Sequence, residues 1–78
     1  MKKTRTAQKL FAVCVRNDDY RASLEVRKIY RVIPDPDAAR HRQIRVVDES
    51  GEDYLYPETL FLPIELPAQT RRALLRAA

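Results

Sequence analysis

Few side chains in this sequence could do chemistry. Cys14 and His41 are the only cysteine and the only histidine among 78 residues. A cysteine nucleophile needs a neighbouring cation or base to hold its thiolate. Cys14 stands between Val13 and Val15, with Arg16 its nearest cation in sequence, and reads as an inert core thiol. His41, a residue type that serves as a general base, lies in the basic stretch Arg40-His41-Arg42. No nucleophile accompanies it, so it reads as part of a solvated connection. One cysteine and one histidine exclude a zinc cluster built from those residues alone. A single glycine, Gly51, excludes a phosphate-cradling loop. The acids cluster at Asp18-Asp19, Asp35-x-Asp37 and Asp48-Glu49-Ser50-Gly51-Glu52-Asp53. A calcium loop needs oxygen ligands at alternating positions around its glycine, and 48–53 lacks that spacing. The sequence therefore implies no enzyme, no cofactor and no metal.

What remains is binding, and charge is its first indicator. Fifteen Lys and Arg against eleven Asp and Glu give +4 and a pI near 9.6. The excess sits at the ends: Lys2, Lys3, Arg5 and Lys9 in residues 1–9, and Arg71, Arg72 and Arg76 in 67–78. Residues 10–66 hold eight basic and eleven acidic side chains, a net −3. A nucleic acid would be drawn to the two termini and repelled by the middle.

The elements that position these groups follow from periodicity and turn residues. Residues 1–8 lack apolar periodicity and read as a basic arm. Strands are expected over 10–15, 24–33, 43–48, 53–57 and 61–66, each rich in β-branched or aromatic residues and bounded by turn formers. Pro34-Asp35-Pro36 predicts a turn and one short helical turn, with Asp35 as cap and Pro36 first. Pro63 marks the last strand as an edge or a bulge. Pro67 opens a helix from Ala68 to about Ala77, with Leu74, Leu75 and Ala78 as its narrow apolar stripe. Its arginines complement the helix dipole.

Gly51 places a hairpin between the third and fourth strands. With Asp48 opposite Asp53, Ile44, Val46 and Leu55 share a core face. Arg45, Val47, Tyr54 and Tyr56 share the other. An Asp48–Glu52 pairing would shift the register by one and swap these faces. In the first register Tyr54, Tyr56 and Arg45 form the candidate contact surface, with Arg27 and Arg31 at its rim. The expected core is Phe11, Val13, Val15, Leu24, Tyr30, Val32, Ile44, Val46, Leu55, Phe61 and Ile64.

From Lys28-x-Tyr30-x-Val32 through Asp48-Glu49-Ser50-Gly51-Glu52-Asp53-Tyr54-Leu55-Tyr56-Pro57 to Phe61, the chain resembles uncharacterised small bacterial proteins with SH3-like barrels. The resemblance spans about residues 10–66. It implies a fold and a bacterial origin, and no site residues. The expectation is thus an all-β, SH3-like antiparallel barrel of about five strands over 9–66, with a short C-terminal helix over 67–78 docked on or beside it.

The expected function is a non-enzymatic accessory module for protein–protein interaction, since tyrosine and arginine are enriched where partners bind. The alternative is binding of single-stranded nucleic acid or RNA, with bases stacked on tyrosines and phosphates met by the basic termini. Self-association through the apolar edge from Phe61 to Leu66 is a further expectation. The longest apolar run, 10–15, is far short of the roughly 20 residues of a membrane span. It is also too short for a signal-peptide core, so the expected location is the cytoplasm, without membrane contact.

Overall fold

Alternation between polar and apolar residues dictates the sheet. The computed structural model describes residues 10–77, in the order β1 (Phe11–Cys14), β2 (Ile29–Ile33), α1 (Pro36–Arg40), β3 (Gln43–Val47), β4 (Asp53–Pro57), a 3-10 turn (Glu58–Leu60), β5 (Phe61–Ile64) and α2 (Ala68–Arg76). The basic residues Lys2, Lys3, Arg5 and Lys9, and Ala78, lie outside the described residues. In β2, Tyr30 and Val32 are buried while Ile29 and Arg31 are exposed, the period of two of a half-buried strand. Asp35 caps α1 as expected, its carboxylate accepting a hydrogen bond from the Ala38 N–H, with Pro36 at the start.

The five strands form one antiparallel sheet in the order β4-β3-β2-β1-β5. β2 changes partner along its length: Ile29 to Arg31 pair with β1, while Val32 and Ile33 pair with β3. β4 and β5 are the edges, and they do not pair with each other, so the sheet is open rather than closed into the expected barrel. Each edge strand carries a proline, Pro57 or Pro63, which has no N–H to offer a closing ladder.

One face of the sheet is the core. Ala12, Cys14, Tyr30, Val32, Val46, Tyr56 and Phe61 point into it, joined by Leu24 and Leu60 from the connections. The rings meet edge to face: Tyr20 with Tyr56 at 5.0 Å, and Phe61 with Tyr30 and Tyr56 at 6.2 Å between centroids. The opposite face carries the row Ile29, Val13 and Leu62, paired across β2, β1 and β5.

Four expectations are corrected. First, 24–33 is a strand only from Ile29; Leu24 is instead buried from within a turn-rich loop, and Arg27 at φ 75° forms the turn into β2. Second, the hairpin register is shifted by one. Val47 pairs with Asp53, Val46 with Tyr54, Arg45 with Leu55 and Ile44 with Tyr56. The Asp48 N–H donates to the Glu52 carbonyl at 3.1 Å, leaving a three-residue loop. Gly51, at φ 86°, takes the left-handed position that such a loop requires at its third residue. Third, the faces therefore swap. Tyr56 is a core residue at 3% exposure, and Leu55 is a surface residue at 40%. Fourth, Val15 is exposed, and Val13 and Ile64 are only half-buried, because all three face away from the core. The C-terminal helix forms as expected but buries none of its residues.

Candidate binding cleft

The open side of the sheet leaves a cleft of about 460 Å³. Val32, Ile33 and Ile44 form one wall, from the region where β2 hands over to β3. Phe61 and Pro63 of β5 also line it, as do Pro34 and Ala39 beside α1. Most of the surface is aliphatic. The three charged lining residues are Asp35, Arg45 and Glu58. This mixture of an apolar floor and a few placed polar groups is typical of ligand sites.

Arg45 is fixed at the rim of this cleft. Its Nε donates to Asp35 Oδ2 and its Nη1 to Asp53 Oδ2, each at 2.9 Å. The other Asp35 oxygen holds the α1 cap. The Ala38 N–H, and then the Arg45 guanidinium, keep the Asp35 carboxyl below the usual carboxylate range. Asp35 and Asp53 in turn raise the guanidinium's proton affinity. Arg45 thus ties α1, β3 and β4 together and has its charge met on two sides.

A second, shallower depression of about 380 Å³ lies at the hairpin end, lined by Tyr20, Ser23, Asp48, Ser50, Tyr54 and Tyr56. Its chemistry is internally satisfied. The buried Asp48 carboxylate accepts from the Ser50 N–H at 2.8 Å, from the Ser50 hydroxyl at 2.6 Å and from the Tyr56 hydroxyl. Burial alone would raise the Asp48 pKa, but these donors outweigh it and hold the carboxyl below its ordinary value. The Tyr56 phenol is pushed up to about 12, by burial and by its bond to Asp48. Beside it, Glu49 accepts from the Tyr30 hydroxyl and from Lys28 Nζ at 2.6 Å, and its own N–H donates to the Ser23 carbonyl at 3.0 Å. Lys28, and then Tyr30, keep the Glu49 carboxyl low.

The structure disperses the residues that the sequence grouped as a contact surface. Tyr54 is 49% exposed and its hydroxyl donates to Glu52 at 3.1 Å. Tyr56 lies in the core, and Arg45 is on the opposite face of the hairpin from both tyrosines. Arg31 lies exposed on the outer face of β2, opposite Phe11, and Arg27 is exposed in the turn before it. Arg71, Arg72 and Arg76 are on α2.

Cys14 is fully buried, its thiol donating to the Arg16 carbonyl at 3.1 Å and its pKa raised by burial. His41 stands at the end of α1 with Nδ1 2.9 Å from the Asp37 carbonyl. Among the described residues, no three His, Cys, Asp or Glu side chains come together as metal ligands would, and no helix is long and apolar enough to cross a membrane.

The cleft itself was missed from sequence. The available signal was Pro34 and Pro63, which end or interrupt two strands whose apolar residues then lack a covering neighbour. Comparison with known proteins finds no matching family model, no similar curated protein and no similar solved structure.

Proposed function

We propose that the protein is a non-enzymatic binding module, SH3-like in plan, whose ligand is a protein segment seated in the cleft between β3 and β5. The observation that carries this is the cleft's lining: Ile33, Ile44 and Pro63 border about 460 Å³ of open space and are not fully buried. Apolar side chains left at such a seam gain free energy when a partner covers them. The charged lining adds selectivity. Asp35 and Arg45 satisfy each other, and Glu58 remains as a net negative charge. A segment with bulky apolar residues and a Lys or Arg is therefore the preferred occupant. The features that favour nucleic acid in the sequence do not meet at this cleft. No tyrosine lines it, and its one arginine is engaged by two carboxylates.

Selection of peptides against the full chain from a random display library tests this directly. The expected winners carry apolar residues with a cation and shift the backbone NMR signals of Ile33, Ile44 and Thr59. Thr59→Arg, at an exposed position of the lining, should abolish the shifts without unfolding the protein. Winners that perturb only other surfaces would overturn the proposal. So would shifts at these amides with mixed single-stranded oligonucleotides but with no peptide.

A further inference from the structure

Two surfaces lack a partner among the described residues and complement each other. The first is α2. None of its nine residues is buried, and Leu74 and Leu75 stand 39% and 42% exposed. It contains Arg71, Arg72 and Arg76 and no acid. None of these arginines makes an ion pair among the described residues. Its first turn begins at Pro67 and has no side-chain cap. A helix this short is marginal in water unless an apolar face is packed. The second surface is the cleft, apolar on its walls and carrying a net negative charge at Glu58. No α2 residue lines it within one copy.

Resting on the cleft's reading as a protein-binding surface, we infer that its occupant is α2 of a second copy of this chain. Leu74 and Leu75 enter between Ile44 and Pro63, and the arginines lie toward Glu58. Reciprocal exchange, in which the same two copies each give one helix and receive one, closes the contact into a two-fold dimer. β5 supplies the wall residues Phe61 and Pro63, and α2 starts at Ala68 after a short link, so the helix departs close to the cleft.

Sedimentation of the full chain over a wide concentration range tests the inference. The expected result is a reversible monomer–dimer equilibrium. Leu74→Asp combined with Leu75→Asp should weaken it at least about tenfold, a loss of about 1.4 kcal/mol. Glu58→Arg should weaken it as well, and Arg71→Glu with Arg72→Glu in the same chain should restore it. Circular dichroism and thermal melting confirm that each variant is folded. A chain that stays monomeric at every concentration overturns the inference. So does a dimer unaffected by the Leu74 and Leu75 changes, which would assign self-association to the β5 edge. Either negative result leaves the peptide selection free to succeed, so failure here is distinguishable from failure of the proposed function.

Discussion

Beneath the hairpin turn the Asp48 carboxylate lies buried and accepts from the Tyr56 hydroxyl, while farther along the same sheet Ile33 and Ile44, the latter paired with Tyr56, line an open cleft. Both ends have a carboxylate beside apolar surface, but they use it differently. Asp48 receives three donors and is surrounded by Tyr20, Tyr56 and Ser50, which consumes its hydrogen-bonding capacity within the fold. Glu49 bonds Tyr30 and Lys28, and its N–H bonds Ser23, so the hairpin tip is fastened to the 20–28 loop. At the cleft, Ile33, Ile44 and Pro63 keep part of their surface open and Glu58 makes no ion pair among the described residues. The hairpin end thus holds the fold together, and the cleft end is left for the contact we propose. The same substitution chemistry should register as stability at one end and as affinity at the other.

The largest expected effect tests the packed end. Leu24→Ala should cost about 2–5 kcal/mol in urea unfolding, because Leu24 is fully buried and anchors the loop that the hairpin grips. Next, Tyr56→Phe should cost about 1–2 kcal/mol, since it removes one donor from the buried Asp48 carboxylate. In that variant an NMR titration should show the Asp48 pKa rising.

A pH series sharpens the contrast. Asp48 and Glu49 titrate below their ordinary values of 3.8 and 4.5. Their stabilisation is therefore complete above those values and is lost as the pH falls through the lower folded-state pKa values. Tyr56 behaves oppositely: its contribution is complete below pH 10 and is lost as the pH rises toward about 12. Tyr56→Phe should remove the alkaline step that belongs to this residue.

Gly51→Ala should cost about 1 kcal/mol from backbone strain at φ 86° alone, because an added methyl would meet nothing within 4 Å. The smallest effect belongs to the open end. Thr59→Arg should leave stability within about 0.5 kcal/mol while abolishing peptide binding. A loss of several kcal/mol there would erase the distinction between the two ends.

Much of the fold was legible in the sequence because local chemistry decides it. Asp35-Pro36 announces the α1 cap, and the alternation of Tyr30 and Val32 with Ile29 and Arg31 announces β2. The hairpin shows where local rules stop. Gly51 located the turn, but its length of three or four residues depends on whether Asp48 pairs with Glu52. That choice exchanged Leu55 for Tyr56 in the core. A tyrosine beside a carboxylate reads as surface in a sequence, yet the phenol is buried where the acid accepts its proton bond. The sheet's failure to close depends on how the edge strands β4 and β5 sit relative to each other, which no short stretch encodes. The cleft was invisible for the same reason: Ile33, Ile44 and Pro63 meet only through the topology.

The most direct test of the cleft's role is methyl NMR of the full chain during titration with a display-selected peptide. The Ile33 and Ile44 methyl signals should move to saturation while those of the fully buried Val46 stay in place. Saturable shifts confined to the Tyr54 and Tyr56 rings, with Ile44 unmoved, would contradict the assignment of binding to this end of the sheet.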